Sequence, residues 1–437
     1  MLQRGKQGNK LSRVKRSASL CQKGPNVLTM KKFFDDLEQR AADARAADQL
    51  KMLRVQIDRA RALPGGSGLP ENPLDDLRDL ARLPILRKQA LLEAQAPGRP
   101  FGGHAGRPEG FAHVFQSPGP IYEPGGVSQD WWRFGRFLHA AGIGAGDIVQ
   151  NCFSYHMTPA GMMFENGARA VGATVFPAGT GQTELQARAA HDIGCTAYAG
   201  TPDYLMAILE AADAAELPLR FSKACVSGGA LFASLREAYA DRGITCLQCY
   251  GTADLGHIAF ESMPPDFPAS APEGLIVDEG VIVEIVRPGT GIPVPEGEVG
   301  EVVVTTLNPD YPLIRFATGD LSAILPGESP CGRTNTRIRG WMGRADQTTK
   351  IKGMFVRPEQ VAEFVARHPE VARARVIAQR DGERDVMVVQ VETEACEPER
   401  YAASIAEVMK LRGEVELVAP GNLPNDGKVI DDQRSYD

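Results

Sequence analysis

Several short stretches of this sequence hold residue types that can do chemistry on a small molecule. The run from Trp341 to Gly353 packs Arg344, Asp346, Lys350 and Lys352 between glycines. A polar, glycine-bracketed run of this kind reads as a bending connection. Asp346 then lies at a hinge between two domains, with the active site in the cleft that the hinge opens and closes. Two glycine-bearing turns, Ser227-Gly228-Gly229-Ala230 and Tyr250-Gly251-Thr252-Ala253-Asp254-Leu255-Gly256, follow apolar β-like runs. In an α/β sheet, ligands sit at such loops beyond the carboxyl ends of the strands. Cys246 and Cys249 have metal-ligand spacing, but only His257 and Cys331 stand as further ligands. A zinc site would need both of those as well, so packed thiols are the reading here and no zinc is expected. His257 reads as a structural histidine.

The elements that must position these residues follow from length and periodicity. A chain of 437 residues exceeds one ordinary core and predicts two or three packed units. Hydrophobic residues at 43% and charged residues at 24% are those of a globular protein. A net charge of −7 argues against a nucleic-acid binder, which needs a basic face. No apolar run reaches the roughly 20 residues of a membrane span. The eight cysteines are scattered, which suits a reducing, cytoplasmic setting better than a disulfide framework.

Residues 1–29 are basic and polar without an apolar signal core, and read as a disordered leader. Residues 31–62 have helical apolar spacing. Residues 67–110, rich in proline, glycine and arginine, are expected to wrap a surface. A strand at Phe111–Phe115 runs into a loop from Gln116 to Gly126, and a helix is expected from Ser128, carrying Trp131, Trp132, Phe134 and Phe137. Between 148 and 320, β-like runs such as Ile148–Phe153 and Lys223–Val226 alternate with helix-length segments, the rhythm of a parallel sheet covered by helices. From about 275 to 325 the period falls to two, predicting a small antiparallel sheet or barrel. After the hinge, one helix, two β runs, a second helix and a final strand predict a small α+β domain. The fold class is therefore α/β: a large N-terminal domain over 30–341, a hinge over 342–346, and a small mobile C-terminal domain over 347–437.

Taken in order, these pieces resemble the phenylacetate–CoA ligase family of the adenylate-forming superfamily, over roughly residues 30–434. The resemblance is carried by Tyr250–Asp254, where the family has Tyr-Gly-x-Thr-Glu, by Tyr311–Leu321, Gly343–Asp346 and Ile351–Val361, and by Leu423–Lys428. It implies a two-step ligase reaction on a small, aromatic carboxylic acid. ATP activates the acid as an acyl-adenylate, and CoA then takes the acyl group. It implies ribose contacts from Asp320 and Arg344, adenine stacking by Tyr250, and a nucleotide site completed by Ser227, Gly228, Gly229, Gly251 and Thr252. Asp254 takes the place of the family's magnesium-binding glutamate. Lys428 is the implied catalytic cation and Gly353 borders the implied CoA channel. Phe153, Tyr155 and Phe164 are either the lining of an aromatic acid pocket or ordinary core. The implied partners are the acid, ATP and CoA, with no membrane and no nucleic acid, and a homodimer is compatible with the family.

Two departures stand out. The phosphate loop retains Ser117 and Gly119, but Pro118 and Pro120 remove N–H donors, Glu123 brings negative charge, and no lysine is present. Arg315 and Arg333 are the substitutes the sequence suggests. The Ser329–Arg333 element keeps one cysteine of a zinc-binding element seen in some relatives. Alternatives are an adenylating enzyme that loads a carrier protein, and a non-catalytic nucleotide or acyl-CoA binder with a degenerate phosphate loop.

Overall fold

A computed structural model of the chain describes residues 31–71, 74–117, 120–229, 231–267, 270–345, 347, 349–351, 354–381 and 384–434. The leader expected over 1–29 lies outside the described residues.

Nine strands form the main sheet. Five are parallel, in the spatial order Thr174–Pro177, Ile148–Asn151, Ala197–Gly200, Lys223–Val226, Thr245–Thr252. Helices Ala160–Ala170, Thr183–Ile193, Pro202–Ala214 and Ala233–Asp241 make the crossovers. The central strand Ala197–Gly200 is buried at every position, as a parallel strand covered on both faces must be. The Thr245–Thr252 strand then turns back antiparallel into Gly256–Phe260, and Leu275–Val277, Arg337–Ile338 and Ile324–Leu325 extend that edge.

The period-two region folds as an open sheet of Val281–Val286, Gly300–Thr306 and Phe316–Ser322, to which Leu86–Arg87 adds in parallel. Every residue of Gly300–Thr306 is buried, so both faces are covered. The Leu86–Arg87 strand leads directly into the short helix Lys88–Ala94. The proline- and glycine-rich segment that holds it thus delivers a basic helix start to the sheet's edge, beyond what its composition suggests.

Two expected helices differ. The first begins only at Ala42, because Asp35 caps a 3₁₀ turn at Asp36–Gln39 before it. No helix begins at Ser128: Asp130 and Arg133 have φ of +53° and +67°, and the helix starts at Gly135. Left-handed residues break the helical ladder, while Trp131, Trp132, Phe134 and Phe137 still reach the core.

Residues after the predicted hinge close around a core of their own, including Phe364, Val376, Val389, Tyr401 and Ile405. The hairpin Val371–Asp381 and Arg384–Thr393 takes Ile430–Asp432 on one edge and Glu414–Val418 on the other, both parallel. Helices Pro358–Arg367 and Glu399–Met409 cover it. From Lys32 onward the chain is a single contact unit. Among the described residues no helix is long and apolar enough to cross a membrane.

Candidate active site

Asp320 lies near the end of the Phe316–Ser322 strand and is nearly buried. Three donors converge on its carboxylate. The Tyr250 hydroxyl donates to Oδ2 at 2.8 Å, and the Trp341 indole N–H and an Arg344 guanidinium N–H donate to Oδ1 at 3.1 and 2.8 Å. The backbone explains the meeting. Gly343 and Arg344 run alongside Gly319–Leu321 as an antiparallel bridge, with Leu321 N–H to Gly343 C=O at 2.9 Å and Ala345 N–H to Gly319 C=O at 2.7 Å. Gly319 has φ of +74°, and a Cβ there would sit 2.8 Å from the Arg344 guanidinium. Glycine is required both for the turn and for that approach. Sequence reading missed Trp341 as a partner of Asp320. Its signal was present: an indole beside the motif arginine, 59% exposed in the fold.

Lys428 stands close by. Gly427, with φ of +70°, approaches so near that a Cβ would lie 2.6 Å from Val299 and 3.1 Å from Leu321, the residue after Asp320. Lys428, Arg344, Leu321 and Asp431 line one cleft of about 320 Å³. The Lys428 ammonium pairs with Asp431 at 2.8 Å and is half exposed. Gln347 pins this turn: its amide carbonyl accepts from Val429 and Ile430 N–H at 2.5 and 2.7 Å, and its NH₂ donates to Gly427 C=O at 3.1 Å. Asn425 adds a tie by accepting from Val299 N–H at 3.0 Å.

A second cleft of about 660 Å³ is lined by Lys88, Arg87, Thr318, Gly319, Arg344 and Arg357, among others. Behind Lys88 lies Asp254, buried, with Lys88 Nζ 3.1 Å from its Oδ2. Asp254 is held by the turn between Thr245–Thr252 and Gly256–Phe260, which Thr252 closes by accepting from Leu255 N–H at 3.1 Å. Gly251 allows the tight hairpin, since a Cβ would meet Gly256 C=O at 2.8 Å.

The phosphate-loop stretch folds as a hairpin, His113–Ser117 against Ile121–Gly125. Glu123 turns back onto Ser117, whose hydroxyl and N–H both donate to it. Burial, then the Asp254 charge, pushes Glu123 up to about 8. Its carboxyl is therefore protonated at neutral pH, and the negative charge expected from the sequence is absent. A lysine stands near this hairpin from outside it. Lys88, from an upstream helix that no motif marks, brings the ammonium. Neither substitute arginine is available: Arg315 is buried against Glu284 and backbone carbonyls, and Arg333 against Glu38 and the Phe33 and Phe260 rings.

Ser227 donates to Cys249 C=O at 3.1 Å, tying two strand ends, and Gly228 has φ of +71°. Gly229 packs against Pro202. Phe153 and Phe164 stack on one another at 4.2 Å within the core, while Tyr155 is half-buried with its hydroxyl accepting from Asn151 at 2.8 Å. Burial pushes the Cys246 and Cys249 thiols up to about 12, so they are uncharged. Gly119, Asp346 and Gly353 lie outside the described residues.

Residues 137–308 match the family model described as AMP-binding enzyme. A phenylacetate-coenzyme A ligase of Thermus thermophilus is 30% identical over 348 residues, covering 76% of this chain and 76% of its own. The chain belongs to the phenylacetate–coenzyme A ligase family. Another ligase of that name, from Aromatoleum evansii, is 29% identical over 382 residues, 82% of this chain and 84% of its own. Among solved structures, 2-hydroxyisobutyryl-CoA ligase in complex with 2-HIB-AMP is similar at 23% identity and a TM-score of 0.67, with 93% of each chain covered. That likeness shows a shared fold.

Proposed function

We propose that this protein is an AMP-forming acid–CoA ligase acting on a small carboxylic acid, aromatic as in its phenylacetate-activating relatives. The observation that carries the reading is the convergence of Tyr250, Trp341 and Arg344 on Asp320, beside a cleft walled by Lys428. In the first half-reaction the acid's carboxylate attacks the α-phosphate of ATP, forming acyl-adenylate and releasing pyrophosphate. In the second, the CoA thiol attacks the acyl carbonyl, its proton goes to solvent, and AMP leaves.

Each residue has a task in this reading. Asp320 accepts the ribose hydroxyls, exchanging them for donors it already holds. Arg344 reaches ribose or phosphate through its fork of N–H groups. Tyr250, Ser227, Gly228, Gly229, Gly251 and Thr252 shape the base pocket. Ser117 and Gly119 are the phosphate-loop residues of this reading, with Lys88 in place of a loop lysine. Lys428 bridges acid and α-phosphate, a preorganised cation where charge develops. Asp254 fits a magnesium ion: it is a hard oxygen donor, buried, and its Oδ1 accepts no hydrogen bond. When bound there, the ion would neutralise polyphosphate charge. Asp346 is the pivot that exchanges the Lys428 turn for the segment that holds Gly353, beside which the CoA arm enters. Tyr155 is the member of the suggested acid pocket with a half-buried position; Phe153 and Phe164 shape it from the core.

Acid, ATP and CoA are the partners, the scattered cysteines favour the cytoplasm, and a homodimer is compatible with the reading. The decisive experiment is acid-dependent exchange of pyrophosphate into ATP over aryl and aliphatic acids. Exchange with small aryl acids is expected, and none across the panel would overturn the reading. Trapping the acyl group with CoA, against a phosphopantetheinyl carrier protein, then identifies the acceptor.

A further inference from the structure

The two peptide groups that flank Lys428 meet on one side chain, the amide of Gln347. Its Oε1 accepts from the N–H of Val429 at 2.5 Å and of Ile430 at 2.7 Å. Its NH₂ donates to Gly427 C=O at 3.1 Å and to Arg344 C=O at 3.3 Å. An amide offers two lone pairs and two N–H groups, so all four positions are taken. Gly427 C=O belongs to the peptide before Lys428, and Val429 N–H to the peptide after it. Gln347 therefore brackets the lysine. Lys428 needs such a bracket: its stem is flexible, its side chain is half exposed, and its pair with Asp431 faces solvent. Placement of the ammonium has to come from the backbone beneath it.

We propose that Gln347 is the positioning residue for Lys428, and that its amide couples the turn carrying that lysine to the pivot. Arg344 and Gln347 stand on either side of Asp346 along the chain. The bond from the Gln347 amide to Arg344 C=O closes over the proposed pivot, while the other three bonds lie on the Lys428 turn. Rotation about the pivot breaks the crossing bond and leaves the three intact, so the turn travels with Gln347. Before rotation the same amide joins the lysine turn to Arg344, whose guanidinium is 2.8 Å from Asp320. The role given to Lys428 rests on the adenylation reading, whereas the clamp does not.

Two measurements on the full chain test this. Hydrogen–deuterium exchange over Gly427–Ile430, read by mass spectrometry, reports the clamp without any reaction. The Val429 and Ile430 N–H groups should exchange slowly in the wild-type chain. In Gln347→Met, which fills the space and makes none of the four bonds, they should exchange about tenfold faster or more. Pyrophosphate exchange into ATP reports the lysine. Gln347→Met should lower kcat about tenfold or more while the KM for ATP stays within about twofold, because a displaced cation loses contact chiefly in the transition state. Added to Lys428→Ala, the same substitution should cost less than about a further twofold, since both remove one function.

An undiminished loss in the Lys428→Ala background would overturn the proposal, as would fast amide exchange in the wild-type turn. Thermal melts show whether Gln347→Met folds. If it does not, Gln347→Glu decides: it keeps the shape and both acceptors but loses both donors, and wild-type kcat in it overturns the proposal. Wild-type kcat in folded Gln347→Met, beside a wild-type chain that exchanges pyrophosphate, sinks this inference alone. A protected turn in a chain with no exchange on any acid sinks the ligase reading alone.

Discussion

Three donors on one carboxylate set Asp320 apart from an ordinary turn aspartate, and in the proposed function each is a bond that ribose hydroxyls take over. Trp341→Phe keeps the ring and deletes the N–H that meets Asp320. It should raise the KM for ATP several-fold with kcat nearly unchanged, as measured by steady-state kinetics. Lys428→Ala should slow adenylation about 10²–10³-fold in the exchange assay. Its melting temperature should barely move, since the Asp431 pair it loses is half exposed and such pairs contribute little. Asp130 gives a pH signature away from the site. Burial, against the Gly135 N–H that it accepts, pushes its carboxyl up to about 7. The folded chain then holds a proton that the unfolded chain loses near its ordinary value. Asp130's contribution is complete below about pH 4 and is lost as pH rises through about 7. Asp130→Asn should flatten that fall, read as melting temperature against pH.

At the scale of elements, the site is a meeting of two glycine turns with one strand. Gly319 turns the Phe316–Ser322 strand so that Arg344 can lie against it, and Gly427 brings the Lys428 turn down onto Leu321. Gly427→Ala combines a left-handed φ with a Cβ 2.6 Å from Val299. Lifting the turn should reduce exchange nearly as far as Lys428→Ala does, although Lys428 itself is intact. Wild-type exchange rates would show that the turn's docking does not matter. These elements were legible to different degrees. The parallel strands, the C-terminal helices and the hairpin Val371–Thr393 follow from periodicity, because both faces or one face of each must be apolar. The Ser128 helix was misread because hydrophobic spacing cannot reveal the positive φ at Asp130 and Arg133.

At the scale of the molecule, the segment after the predicted hinge has its own core yet is tied to the larger part. Asn425 meets Val299, Arg87 approaches Glu359 at 3.7 Å, and the Gln347 amide donates to Arg344 C=O at 3.3 Å. Polar ties of this sort are contacts that rotation can break. We infer that this arrangement presents Lys428, and that the CoA step needs another. Asp346→Pro should therefore harm thioester formation more than adenylation, since proline fixes φ at the proposed pivot. Single-turnover measurement of each half-reaction checks this, and equal loss of both would move the pivot elsewhere.

The sequence by itself determined the family, the order of the elements and the identity of the motif residues. Those depend on local pattern: apolar period, glycine turns, and short runs kept in register along the chain. It also located Asp320, Arg344 and Lys428 as candidates, though without their partners. The tertiary structure alone decided which charges meet. Lys88 joins Asp254 from 166 residues away, and Glu123 loses its charge because burial and Asp254 oppose it. Arg315 and Arg333 are consumed by Glu284 and Glu38. Charge and proton occupancy depend on distance and burial, and neither is written in the order of residues. In the fold, Glu123 is buried against Ser117, and Lys88 pairs with the buried Asp254.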